Sequence, residues 1–151
     1  MAAPAETQQE ATVVYLVRHA EKLDDSTDPP LTEVGRERAQ LLSEILQDAG
    51  LTHIHTTDYQ RTRDTAAPIA DRLGLELRLY DAGELEAFSD RLRATPGRHL
   101  VTGHSNTTPS LVRFLGGDST DIPDHEHDRL YILTLNPDWT AGTILLRYGS
   151  P

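Results

Sequence analysis

Residues 12–20 read "TVVYLVRHA", and the fold turns on how this stretch is read. The run is apolar, rich in β-branched valine and too short for a buried helix, so residues 12–18 form a buried strand. It closes on two adjacent basic groups, Arg18 and His19, in a chain whose formal net charge is −10. The segments that follow alternate. Residues 20–31 make a polar loop ended by the pair Pro29-Pro30. Residues 33–49 carry apolar side chains at Val34, Leu41, Leu42, Ile45, Leu46 and Ala49, near helical spacing, with Thr32 as N-cap and Gly50 as stop. Residues 53–57 form a short strand. A second helix runs to about Leu73, with Pro68 either in its first turn or kinking it. Residues 75–79 alternate as a strand, 83–94 are helical, Pro96-Gly97 turns, and 98–103 ("RHLVTG") form a strand before a helix from Thr107 to Leu115. Two late strands, 129–135 and 143–148, face each other across "NPDWTAG" as a hairpin. Strand–helix alternation predicts a three-layer α/β/α domain, with a mainly parallel sheet and an antiparallel hairpin at one edge.

Length and composition set the bounds. The chain has 151 residues, enough for one domain with a core, expected over 12–151 behind a disordered lead at 1–11. Its acidity argues against nucleic acid or an anionic membrane as partner. The absence of cysteine removes disulfides, thiolate nucleophiles and Cys-ligated zinc together. No apolar run is long enough to span a bilayer, and the first residues lack the pattern of a signal peptide. The composition fits a cytoplasmic protein or an exported mature form. Oligomeric state is not legible.

In open α/β sheets, ligands bind beyond the carboxyl ends of the strands. Arg18 and His19 follow the first strand. "DYQRTRDTA", with Arg61 and Arg63, follows the second. His104, in "GHSNTTP", follows the strand at 98–103. Basic groups recur at equivalent places, and such a cluster calls for an anion. Guanidinium forks match phosphoryl oxygens, and a charge-assisted hydrogen bond contributes roughly 1.5–3 kcal/mol. Neutral imidazole is a nucleophile near pH 7. If a backbone carbonyl holds one ring N–H, the other nitrogen is free to attack phosphorus, while a second, protonated histidine stabilises the equatorial oxygens. Arg18 beside it makes His19 the candidate nucleophile.

"LVRHAEK" resembles the Arg-His-Gly/Ala signature of the histidine phosphatase superfamily, the phosphoglycerate mutase-like group. "PLTEVGRERA", "TTDYQRTRDTA" and "VTGHSN" resemble three further motifs of that family, in order, across residues 13 to 113. The resemblance implies His19 as the phosphorylated nucleophile, Arg18 and Arg61 as phosphoryl ligands and His104 as the group completing the pocket, without metal or other cofactor. A chain this short is similar to the phosphohistidine-phosphatase branch. The substrate implied is a small phosphorylated molecule or a phosphohistidine protein. Two departures stand out: Ala20 replaces the signature glycine, and Thr57-Asp58 replaces a Ser-Pro pair. The family's acid/base glutamate has no counterpart. Asp81 or Glu84, after the strand at 75–79, could protonate a leaving group instead. Without such an acid the substrate needs an easily departing group, as in a phosphoramidate or an acidic aryl phosphate.

Other features carry plainer readings. Arg63 is a surface charge. His53 with His55, and His125 with His127, have the spacing of zinc ligands but lack a third partner. The acidic loop 117–128 is a solvated turn or hangs over the site. Gly35, costing about 1 kcal/mol relative to Ala in a helix, signals close packing. Ser105 and Asn106 stand at a helix start where N–H groups can face phosphate. Glu21 is a supporting or surface group. Competing functions are a phosphoglycerate-mutase-type transfer, a non-catalytic phospho-ligand module and, more distantly, a metallohydrolase.

Overall fold

In the computed structural model, which describes residues 11–151, the apolar run is strand β1 (Thr12–Arg18), near the middle of a six-stranded sheet. The expected lead falls almost wholly on residues 1–10, outside the described residues. Along the chain follow α1 (Glu33–Leu46), β2 (His53–Thr56), α2 (Gln60–Leu73), β3 (Leu77–Leu79), α3 (Leu85–Ala94), β4 (Arg98–Gly103), α4 (Thr107–Phe114), β5 (Arg129–Leu135) and β6 (Ala141–Arg147). The sheet order is β3-β2-β4-β1-β5-β6. β1 pairs parallel with β4, and β2 pairs parallel with both β4 and β3. β5 runs antiparallel between β1 and β6, so the late hairpin forms the antiparallel edge.

Alternation along the strands splits the core in two. Val14, Leu16, Val101, Tyr131 and Leu133 pack under α3 and α4 with Phe88, Leu92, Leu111 and Leu115. Val17, Ile54, Leu100 and Leu130 pack under α1 and α2 with Leu42, Leu46, Ala66 and Ile69. The three-layer α/β/α arrangement is therefore the observed one.

Several boundaries differ from the sequence reading. α1 ends at Leu46 rather than Ala49, because a tight turn (Ala49 N–H to Leu46 O, 3.0 Å) leads into Gly50 at φ 73°. Val34 and Ile45 are exposed, since the apolar arc of α1 is wider than the stripe that reaches the sheet. β3 keeps only three residues of the expected five. Leu75 still closes the end of α2 by donating to Ala70 O, and the strand pairs only with Ile54, His55 and Thr56. α3 starts at Leu85, after a turn in which Gly83 N–H and Glu84 N–H donate to Asp81. β6 begins two residues early, at Ala141, in register with the whole of β5. Pro68 lies in the interior of α2, where it withholds one N–H from the helix ladder.

Gly35 has the close packing its helical cost suggested. Thr32 Oγ1 caps α1 by accepting from Gly35 N–H at 3.0 Å. A Cβ at residue 35 would collide with the Glu21 backbone, standing 3.1 Å from its N and 3.2 Å from its C. Backbone atoms cannot swing aside, so Gly35→Ala is expected to destabilise the protein by roughly 2 kcal/mol. Thermal unfolding checks this, and an unchanged midpoint would contradict it. The loop that carries His19 should shift too, because Glu21 lies two residues beyond that histidine.

Candidate active site

Strand register brings the basic groups together. Arg18 pairs with Gly103 across β1 and β4, so His19 and His104 leave adjacent strands at one level. His19 N–H donates to Gly103 O at 2.8 Å, and the two imidazole centroids stand 5.7 Å apart. Thr56 pairs with Thr102, which sets Thr57 beside them. Arg61 comes from the first turn of α2. The result is a cavity of about 320 Å³ bordered by Arg18, His19, Lys22, Tyr59, Arg61 and His104, with Ser105, Asn106 and Thr107 from the start of α4.

His19 is 3% exposed. Its Nδ1–H donates to Ala20 O at 2.7 Å, which fixes the tautomer and leaves Nε2 with its lone pair. Burial pushes the imidazole down to about 3, against the favourable Ala20 bond and with help from the charges of Arg18, His104 and Arg61. The ring is neutral at pH 7, as a nucleophile requires.

Arg18 is 5% exposed and held by the acidic loop. Its Nη1 donates to Asp124 O at 2.8 Å, Glu126 O at 3.0 Å and Pro123 O at 3.3 Å. Its Nε is buried without a partner. The Arg61 Nε is likewise buried without a partner, while its guanidinium lies over the Tyr59 ring at 4.5 Å and donates to Thr27 O at 3.3 Å. Two arginines thus border the cavity, and guanidinium forks are matched to the oxygens of an oxyanion placed in it.

His104 was expected to be protonated beside phosphate; without an anion beside it, its state is different. Burial, then the charges of Arg61, Arg18 and Lys22, push it down to about 4, so it is neutral at pH 7. Its Nε2 lies 2.8 Å from Thr57 Oγ1, which lies 2.9 Å from Thr62 Oγ1. Thr62 donates to backbone carbonyls of Thr57 and Tyr59. One proton order satisfies the whole chain: His104 Nε2–H to Thr57, Thr57 O–H to Thr62, Thr62 O–H to a carbonyl. His104 Nδ1 is then the atom that can take a proton when an anion arrives.

Sequence reasoning missed the threonines. Thr65 Oγ1 accepts from Ala20 N–H at 2.8 Å and donates to Arg61 O at 2.6 Å, tying the nucleophile loop to α2. The recurrence of Thr at 57, 62 and 65 around Arg61 was the available signal. Asp28 adds a second tie, accepting from Gln60 N–H at 2.8 Å at the start of α2. Glu21 does not enter the cavity. It forms a paired hydrogen bond with the buried Arg38 (2.8 and 3.1 Å), which also donates to Tyr148 O and so pins the nucleophile loop to the C-terminal segment. Its carboxyl is raised by burial but more strongly lowered by the bonds and charge of Arg38.

The other expected residues separate. Ser105 borders the cavity. Asp81 and Glu84 are exposed and do not border it; the Asp81 carboxylate caps its own turn, and Ala82 is the residue of that loop facing inward. The bordering carboxylate is Asp124, 3.8 Å from Arg18 Nη2. Arg63 pairs with Asp58 at 2.5 Å on the surface. The loop 117–128 is more than a solvated turn, since its carbonyls grip Arg18 and its Glu126 and Asp128 pair with Arg129 and Arg147. His127 packs 5.7 Å from His19 and its Nδ1 bonds His19 O at 3.0 Å, away from the exposed His125. Among the described residues no group of three His, Cys, Asp or Glu is arranged to hold a metal ion, and no helix is long and apolar enough to cross a membrane.

Burial of neutral histidines makes the fold acid-sensitive. His19 and His55 sit at about 3 and His104 at about 4, below the ordinary 6.5, chiefly through burial. Between pH 6.5 and 4 the unfolded chain binds more protons than the folded one, so stability falls as pH falls through that window. Discounted for partial screening, each histidine contributes about 1 kcal/mol of loss between pH 7 and 5.5, about 3 in all. Urea midpoints at the two pH values check this; equal midpoints would contradict it.

Fold and pocket together define an open α/β protein with a neutral imidazole set between two guanidinium groups at the sheet's carboxyl edge. Residues 14–82, a little under half of the chain, match the family model described as "Histidine phosphatase superfamily (branch 1)". Among curated proteins, "Probable phosphoglycerate mutase GpmB" of Yersinia pestis (strain Pestoides F) is 41% identical over 71 residues, 42% of this chain and 33% of that protein. The chain thus spans about a third of the length of the curated relatives it matches. Among solved structures, the protein histidine phosphatase SixA complexed with tungstate aligns with a TM-score of 0.73 at 20% identity, over 89% of this chain and 96% of that one. The alpha-ribazole phosphatase from Shigella flexneri aligns with a TM-score of 0.75 at 15% identity, over 89% and 96%. At these identities the structural likeness is one of fold.

Proposed function

We propose that the protein is a metal-independent phosphatase that hydrolyses phosphomonoesters or phosphohistidine through a phosphohistidine intermediate on His19. The observation that carries this is the His19 tautomer: Nδ1–H is committed to Ala20 O, and Nε2 keeps its lone pair in a cavity with Arg18 and Arg61. In the first step the Nε2 lone pair forms a bond to phosphorus as the bond to the leaving group breaks. Arg18 and Arg61 donate to the equatorial oxygens, and His104 takes up a proton from solvent as the anion binds and returns it to solvent when phosphate leaves. In the second step water attacks the phospho-imidazole, releasing phosphate and restoring neutral His19.

Among the described residues the cavity border supplies one carboxylate, Asp124, which already faces Arg18. This favours substrates that need little help in departure. Phosphohistidine protonated on its free ring nitrogen leaves as neutral imidazole, and an acidic aryl phosphate leaves as a stable phenolate. Hydrolysis of p-nitrophenyl phosphate with EDTA present tests the proposal. Arg61→Ala is expected to lower kcat/KM roughly 100-fold, equivalent to about 2.7 kcal/mol of phosphoryl stabilisation. An unaltered kcat/KM would remove Arg61 from the site.

The 41% identity over 71 residues to proteins named as probable phosphoglycerate mutases supports a second reading, phosphoryl transfer within a sugar acid. Isomerisation of phosphoglycerate without net release of phosphate would favour it. Tight phosphate binding with no turnover of any aryl phosphate or phosphoramidate would instead indicate a binding module.

A further inference from the structure

A second basic cavity, of about 260 Å³, lies on the α3 side of the sheet. It is bordered by His53 and His55 of β2, His99 of β4, Arg78 of β3, and Phe88 and Arg91 of α3. His99 follows the first residue of β4 whereas His104 follows its last, so the two cavities are separated by about 16 Å along that strand. The three imidazoles stack, with centroids 4.6 Å apart for His53 and His99 and 5.1 Å for His55 and His99. Their nitrogens do not converge, which agrees with the lack of a metal-holding group among the described residues.

Hydrogen bonds fix this stack. His99 Nε2–H donates to Thr95 O at 2.8 Å, which leaves His99 Nδ1 to accept from His55 Nε2–H at 2.9 Å. His55 Nδ1 is then a hydrogen-bond acceptor. Around this neutral array stand two guanidiniums. Neither Arg78 nor Arg91 has an ion pair among the described residues, and Arg91 lies 5.5 Å over the Phe88 ring. The chain carries 24 acidic residues against 14 Lys and Arg, yet no Asp or Glu is among the described residues bordering this cavity. In so acidic a molecule, a concave surface with basic and no acidic lining focuses positive potential on one small volume.

We propose that this cavity is an accessory binding site for a small oxyanion, of the phosphate or phosphomonoester class, held by Arg78 and Arg91. An oxyanion with one protonated oxygen suits the fixed tautomers, accepting from the two guanidiniums while its O–H donates to His55 Nδ1. The exposed Leu79 and the Phe88 ring offer an apolar wall to an organic portion. The site is independent of the reaction proposed for His19.

The test follows ring resonances of all histidines by NMR in the whole chain, titrated with inorganic phosphate at constant ionic strength. Resonances of His53 and His99 are expected to move and saturate, and to do so equally in His19→Ala/Arg61→Ala, where the first cavity is impaired. In Arg78→Gln/Arg91→Gln the same resonances should require at least about tenfold more phosphate, as loss of charge-assisted bonds implies, while the response of His104 persists and shows that the fold is intact. Both arginines are exposed, so their replacement leaves the core untouched. No saturable shift at His53 and His99, or the same midpoint in the double variant, would overturn the proposal.

Discussion

His19→Ala is expected to lower kcat/KM for an aryl phosphate by roughly 10⁴-fold or more, the scale on which loss of a covalent nucleophile is felt. Among the described residues bordering the cavity, the other imidazole is His104, whose Nδ1 takes a proton in the proposed mechanism. His104 is turned so that its Nε2 serves Thr57, and His127 spends its Nδ1 on the carbonyl of His19. Water attacking directly would lack the positioned lone pair that the Ala20 bond creates. The imidazole makes a single side-chain hydrogen bond, so its removal should cost little stability. Retained unfolding temperature with lost turnover is the expected pair of results. Unchanged turnover would remove His19 from the reaction.

Arg18→Ala should have the next largest effect, and of a different kind. The side chain borders the cavity proposed for phosphoryl and also satisfies the carbonyls of Pro123, Asp124 and Glu126. Truncation removes the guanidinium and strands the carbonyls, at roughly 1–3 kcal/mol for each carbonyl left dry. We expect kcat/KM to fall roughly 10³-fold, from the lost phosphoryl contact together with a displaced loop, and stability to fall by about 3 kcal/mol. Arg18→Lys separates the two contributions. It keeps the charge but cannot hold three carbonyls and the substrate together, so it should recover stability better than activity. Wild-type kinetics in Arg18→Ala, measured alongside its urea midpoint, would contradict this assignment.

Much of the site was legible because strand ends carry their information locally. Arg18, His19 and His104 follow apolar runs whose boundaries matched the structure, and parallel register then set them side by side. The parts that were not legible depend on pairings distant in sequence. Nothing near Arg18 indicates that its guanidinium is held by carbonyls more than a hundred residues later. Asp81 and Glu84 followed a strand at the correct edge, yet an Asx turn at Asp81 directs its carboxylate back to Gly83 and leaves Ala82 facing the cavity. The expectation that His104 is protonated concerned its state beside phosphate, and nothing in the sequence indicates its state without phosphate, which burial and the neighbouring arginines set. Val34 and Ile45 obeyed helical periodicity but lie outside the width of the sheet that α1 covers.

A covalent phosphoryl intermediate on His19 would leave its mark in the stereochemistry at phosphorus. Each in-line displacement inverts configuration. Transfer of an isotopically chiral phosphoryl group to His19 Nε2 and then to an acceptor involves two displacements and predicts net retention. Net inversion would mean a single displacement by water, and would contradict the account.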